Sequence, residues 1–260
     1  MDKPSSTCHV PLLPEGRQPV CDQTDVPACA AVVTCSLAAT VLPFDEPASV
    51  RHLYWSSREL AGRSGRRGTR LIDCMEAWSK WGLVAESRWP WEKDGVEERP
   101  PESVLAVQHS RFRPEIRRAD ERERLPTEGE GLVQELRALV SRGKPFSLEF
   151  PLHPAQFPGF SDGHLPALSA DQAAFGHHVV LVTGFSDTQE CRHEPRTVGA
   201  FRFQNSWGAE WGEGGTGWLP YEYALTGRVR DVWVVYPLGE IPRNGTVPCE
   251  AERPQVVRLD

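Results

Sequence analysis

A cysteine, a histidine, an asparagine and a glutamine, far apart in the chain, carry its clearest chemical signal. Gln23 stands six positions before Cys29, and Cys29 opens an apolar run through Leu42 that Pro43 stops. A thiol at the first turn of a helix feels the positive end of the macrodipole, which favours its thiolate. A carboxamide held nearby can donate a hydrogen bond to the oxyanion formed when that thiolate attacks a carbonyl. The nucleophile still needs a base, and the base needs a third group to fix its ring. His178 follows Cys29 by 149 residues at the start of an apolar run, 179–185, and Asn205 comes 27 residues later, after a second such run. Together these three residue types suit acyl transfer through a thioester. His177 competes for the role of base. Neighbouring strand residues face opposite sides, so only one of the two histidines points at the thiol. The other is left at a rim or in solvent.

The elements that must position these groups change character near residue 130. Residues 29–42 are Ala, Val, Leu and Cys at nearly every position, so this helix has no polar face and is expected to be buried on all sides. A second helix is expected over 47–60, with Pro47 in its first turn and an end near Gly62. A third starts after Thr69 as N-cap, ends at Gly82 and repeats Leu71, Met75, Trp78 and Trp81 at helical spacing. Residues 88–103 read as an ordered connection. A fourth helix, 130–142, places Leu132, Val133, Leu136, Leu139 and Val140 on one face and stops at Gly143. Beyond it the runs 146–150, 179–185, 200–204 and 232–236 are β-type. The expected class is α+β: a helical lobe over about 19–130, a strand-rich lobe over about 131–236, and the site in the cleft between them. Residues 1–18 read as a polar arm and 237–260 as an aperiodic tail containing prolines.

A chain of 260 residues can bury one substantial core or two lobes. Its 39% hydrophobic and 25% charged residues are ordinary for a globular protein. A net charge of −7 argues against nucleic acid as a partner. No run of 18 apolar residues occurs, so no membrane partner is expected. Residues 111–124 alternate Arg with Glu and Asp and read as a solvated surface segment or mobile loop. The first residues show no basic cluster followed by an apolar run, so no signal peptide is expected. An odd number of cysteines, 7, fits a reduced protein better than a disulfide framework. The expected location is therefore cytoplasmic. Cys191 and His193 lack a second pair at ligand spacing, so no metal and no other cofactor is expected. Asn244-Gly245-Thr246 matches a glycosylation acceptor but reads as a simple turn.

Three motifs together resemble the papain-like cysteine peptidases, the C1 family, over about residues 18–236. They are Asp22-Gln23 followed by Cys29, His178 six residues before Gly184-Phe185, and Asn205-Ser206-Trp207-Gly208 with Trp211-Gly212. The last is the most specific. Gly68-Thr69-Arg70-Leu71, Lys80-Trp81-Gly82 and Trp89-Pro90-Trp91 resemble microbial members in particular. The resemblance implies a helical lobe packed on an antiparallel, β-barrel-like lobe, and a cysteine endopeptidase acting on peptides or proteins. It implies an oxyanion hole from the Gln23 side chain and the Cys29 N–H, with Trp207 shielding the His178–Asn205 bond and Trp211 lining the leaving-group side. Gly68 resembles the position where an extended substrate pairs with backbone, although a plain turn glycine is nearly as good a reading.

The family surround C-G-S-C-[WY] reads Val26-Pro27-Ala28-Cys29-Ala30 here. The first family cysteine, with the disulfide it makes in secreted members, is absent, and so is the aromatic that packs beside the nucleophile. Cys29 lies close to the start of the sequence, so the long inhibitory pro-segment of eukaryotic members is not expected. Two other readings use the same residues: a binding module that no longer turns over, and an acyl-transferase or transpeptidase that passes the acyl group to an amine.

Overall fold

The computed structural model describes residues 7–9, 19–41, 46–107, 115–118, 125–153, 160–167, 174, 176–191, 193 and 196–236. The rest of the arm, the tail with Asn244-Gly245-Thr246, and Cys249 lie outside these residues. The described residues fall into two compact units. Those within Met1–Leu12, Val20–Thr24 and Arg118–Trp233 form a sheet unit, and those within Leu13–Pro19, Asp25–Arg117 and Val234–Asp260 a helical unit.

In the helical unit, α1 (Cys29–Val41) is buried continuously from Cys29 to Ala39, as its lack of a polar face requires. Two of its hydroxyls bond back along the helix, Thr34 Oγ1 donating to the Ala30 carbonyl at 2.8 Å and Thr40 Oγ1 to the Leu37 carbonyl at 2.6 Å. Helix α2 (Val50–Leu60) begins three residues later than Pro47 suggested. Ser49 is the N-cap: its Oγ accepts from His52 N–H at 3.1 Å and donates to the Trp89 carbonyl at 2.6 Å. A serine that satisfies a first-turn N–H and also tethers a distant loop outcompetes a proline start. Helix α3 (Leu71–Trp81) buries Leu71, Cys74, Met75 and Trp78 at one-face spacing. Trp81 is only half-buried and stacks on Trp55 at 6.5 Å. Thr69 is not its cap. Arg70 holds that position without capping the helix through its side chain, and the Thr69 hydroxyl instead meets Ser57 Oγ at 2.7 Å.

Two arginines of α2 are buried, which the helical pattern did not anticipate. Arg51 bonds Glu92, the Gly95 carbonyl and Glu98, and its guanidinium lies 4.6 Å over the Trp89 ring. Arg58 pairs with Glu97 and lies 4.6 Å over the Tyr54 ring. Both cations are thus compensated by the segment 89–98, which explains how that connection is held against the helix. A 3₁₀ turn, Glu86–Arg88, and the short α4 (Glu102–Leu105) complete the segment.

The sheet unit centres on the long strand β4 (Gly176–Cys191), flanked by β3 (Phe146–Leu152) and β5 (Thr197–Gln204), both antiparallel. Strands β6 (Thr216–Pro220) and β7 (Arg230–Tyr236) extend it, in the order β7-β3-β4-β5-β6. Two further strands arise where the sequence pattern showed none. Thr7–His9, inside the expected arm, forms β1 and pairs with Ser186, Phe185 and Gly184 of β4. Glu115–Arg118, inside the expected solvated segment, forms β2 beside β7 at the sheet edge, where charged residues are common. Among the described residues the sheet is antiparallel and open, with no pairing between β2 and β6 to close a barrel. Beyond a register shift after Ser186, β4 and β5 pair again, with Glu190 opposite Val198 and Cys191 opposite Thr197. Helix α5 (Gly129–Ser141) buries Leu132, Val133, Leu136, Leu139 and Val140, the face read from sequence. A last short helix, α6 (Glu222–Leu225), precedes β7.

Candidate active site

Strand alternation separates the two histidines: His177 is exposed and His178 is 3% exposed. Asn205 follows directly on β5, where its N–H donates to the Gly215 carbonyl at 2.8 Å. Its Oδ1 accepts the Ser206 backbone N–H at 2.8 Å and meets His178 Nε2 at 2.8 Å. A backbone N–H only donates, so the contacting amide atom is oxygen and His178 Nε2 must carry a proton. In the neutral ring Nδ1 is then the basic nitrogen. Trp207 stacks on the imidazole at 4.8 Å and 28°, while Phe150, opposite His178 in the β3–β4 register, meets it edge-on at 5.8 Å. Burial in this cage pushes the His178 pKa down from 6.5 to about 4, with the Asn205 bond opposing the shift. Trp211 stands edge-on to Trp207 at 5.3 Å and is 7% exposed, so it buttresses Trp207 more than it lines open space.

Gln23 belongs to the same unit. Residues 21–23 run antiparallel to 206–208: Gln23 N–H donates to the Ser206 carbonyl at 2.9 Å, and Gly208 N–H to the Cys21 carbonyl at 3.2 Å. Gly208 has φ +81°, and a Cβ there would stand 3.3 Å from that of Asp22, so the close pairing favours glycine. Ser206 Oγ donates to Gln23 Oε1 at 2.5 Å. That bond fixes the carboxamide with its oxygen toward Ser206 and its NH₂ group turned the other way. Thr24 follows with φ +56°, an unfavourable conformation for a β-branched residue, and its N–H donates to Asp22 Oδ1 at 2.7 Å.

Cys29 lies in the helical unit as the first residue of α1, unbridged and 9% exposed. The chain enters the helix through a tight turn, with Ala28 N–H donating to the Val26 carbonyl at 2.7 Å and Val32 N–H to the Ala28 carbonyl at 3.0 Å. At this position the Cys29 N–H has no intrahelical acceptor and the macrodipole favours a thiolate. Gly68, at φ +86°, packs against Pro27: a Cβ on it would come within 3.4 Å of the proline ring. Its N–H donates to the Tyr54 hydroxyl at 2.9 Å, so of its two backbone groups only the carbonyl is left to offer a substrate strand. Cys74 provides a contrast within the same unit. Full burial pushes its thiol up to about 12, Asp73 and Cys29 add to the shift, and the Thr69 and Ser57 hydroxyls oppose it.

The sequence matches the family described as papain family cysteine protease over residues 18–227. This chain belongs to that family. Solved structures agree in fold. Xylellain, a cysteine protease from Xylella fastidiosa, superposes with a TM-score of 0.68 at 22% identity, covering 89% of this chain and 85% of its own. Bromelain from Ananas comosus gives 0.60 at 15%, and the Carica candamarcensis protease CMS1MS2 gives 0.56 at 15%, each over 89% of this chain and 98% of its own. None of the curated proteins compared with this papain-family chain matches it. The chain is a papain-like cysteine peptidase of α+β fold.

Of the residues picked out by sequence, the structure joins Gln23, His178, Asn205, Trp207 and Trp211 in one unit and places Cys29 with Gly68 in the other. Sequence reasoning missed three contributors. Ser206 lay inside the quoted Asn-Ser-Trp-Gly run, yet only the fold brings its hydroxyl to Gln23. Phe150 reads as any strand aromatic, and the Tyr54 bond to Gly68 leaves no mark on helical periodicity.

Proposed function

We propose that this peptidase hydrolyses internal peptide bonds through a thioester on Cys29. In this reading the Cys29 thiolate pairs with the His178 imidazolium and attacks the substrate carbonyl. The Gln23 NH₂ and the Cys29 N–H stabilise the oxyanion, and His178 then donates its proton to the leaving amine. Water, deprotonated by His178, attacks the thioester, releases the acid and restores the thiolate–imidazolium pair. Asn205 keeps Nε2 protonated so that Nδ1 does the proton transfer, and Trp207 shields that bond from water. The single observation carrying the reading is the His178 Nε2 to Asn205 Oδ1 contact at 2.8 Å, in a chain of this family, because it sets the tautomer. Burial alone keeps the imidazole neutral. The charged pair therefore needs the thiolate as counter-ion.

Peptide-library cleavage by the wild type and by Cys29→Ala tests the reading. The variant is expected to lose turnover altogether, and Gln23→Ala to lose about 10²–10³ in kcat. E-64, present in the plant-enzyme structures, is expected to block the wild type. A Cys29→Ala protein cleaving at the wild-type rate overturns the assignment.

A further inference from the structure

We propose that the loop 62–70 gives this peptidase a preference for substrates with an acidic side chain on the side of the scissile bond that passes Gly68. The inference rests on the peptidase reading above and adds to it the chemical class of substrate.

The loop joins α2 to α3 and reads Gly-Arg-Ser-Gly-Arg-Arg-Gly-Thr-Arg, four arginines without one acid, in a chain whose net charge is −7. Asp73 and Asp25 bond these cations directly. Asp73 takes Arg63 at 3.4 Å and Arg70 through Nε at 2.9 Å and Nη2 at 2.5 Å. Asp25 takes Lys93 at 2.6 Å and Arg67 at 3.8 Å, and its carbonyl accepts from Arg67 at 3.3 Å. Glu59, the nearest other acid in sequence, accepts from Ser64 Oγ at 2.6 Å. Asp94 also stands near Lys93, so three carboxylates face the four cations Arg63, Arg67, Arg70 and Lys93 before Arg66 is counted.

Arg66 makes no ion pair and no side-chain hydrogen bond among the described residues, and it is exposed. Its position is fixed all the same, because its N–H donates to the Arg63 carbonyl at 3.0 Å and closes a turn. Two residues on, Gly68 packs against Pro27, itself two residues before Cys29, and Arg67 bonds Asp25 in the same stretch. The backbone that carries this uncompensated guanidinium is therefore anchored to the chain that delivers the nucleophile, within one unit. A guanidinium offers a planar fork of donors that matches a carboxylate in two parallel bonds, which a lysine would not. A substrate strand running along Gly68 brings its side chains past this fork, and a Glu or Asp there completes the missing partner.

The test uses fluorogenic peptides identical except for one Glu, Gln or Lys scanned through the positions on both sides of the cleaved bond, with the full chain at low and high salt. For an exposed pair the expected gain of Glu over Gln is about two- to fivefold in kcat/KM, at a position on one side only. It should shrink at high salt. Arg66→Gln should bring the Glu peptide down to the Gln peptide, and Arg66→Glu should reverse the order in favour of Lys. Cleavage with no Glu preference, or a preference that survives in Arg66→Gln, overturns this inference and leaves the peptidase reading standing. Failure of every peptide to show Cys29-dependent cleavage overturns both.

Discussion

The surroundings of His178 and of Cys29 are held by different forces. In the sheet unit the functional groups are polar, buried and tied by directed hydrogen bonds: Asn205 to His178, Ser206 to Asn205, Ser206 to Gln23. In the helical unit Cys29, the proposed nucleophile, opens a helix buried along eleven successive residues, from Cys29 to Ala39, and its position is set mainly by hydrocarbon packing. The difference follows from what each group must do. A base has to present one particular nitrogen with one particular proton, and only directional bonds impose that. A sulfur is a poor hydrogen-bonding atom whose place is better fixed by the shape around it. One half is therefore sensitive to single polar deletions, the other to lost volume.

The largest effect expected from this contrast is on the packed side. Trp78 in α3 is fully buried, and Trp78→Ala should cost about 3–5 kcal/mol of stability, read as a lower urea midpoint. A loss confined to kcat with an unmoved midpoint would contradict the packing account.

The next is a pH effect on the polar side, seen with the thiolate removed. In Cys29→Ala the His178 pKa stays lowered to about 4 in the folded protein, against 6.5 unfolded. The unfolded chain then binds the extra proton between those values. Its contribution to stability is fully present above about pH 6.5 and is lost as pH falls through 4. Relative to a Cys29→Ala, His178→Gln double variant, Cys29→Ala should lose about 2–3 kcal/mol between pH 7 and pH 4.5. Parallel stability curves for the two proteins would remove the claim that His178 is held neutral by burial.

The smallest concerns Ser206. Ser206→Ala frees the Gln23 amide to rotate and should lower kcat about fivefold with little change in KM, since the bond it removes is worth about 1 kcal/mol. Equal kcat in variant and wild type would show that the amide is oriented by something else.

Much of this arrangement was legible in the chain itself, for identifiable reasons. Helix α1 has no polar face, so its burial could be read directly. Helix α5 shows a clean apolar face, and strand alternation separated His177 from His178. What escaped was carried by contacts between distant residues. Ser206 and Gln23 are 183 positions apart, and neither side of such a bond alters local periodicity. Strand β1 is three residues of polar sequence whose pairing is dictated by the edge of β4, not by its own composition. At Thr69 and Pro47 the local cap signals were sound, but Ser57 and Trp89, each brought near by folding, made other bonds more favourable.

The central claim is that Cys29 and His178 act as one ionised pair. Its most direct test is the rate of Cys29 alkylation by iodoacetamide across pH, in wild type and in His178→Ala, followed by mass spectrometry with buried Cys74 as the unreactive reference. The account predicts fast labelling of wild-type Cys29 well below the ordinary thiol pKa of about 8.5. In His178→Ala the profile should shift up toward that value. Superimposable profiles, with wild-type Cys29 titrating as an ordinary thiol, would contradict it.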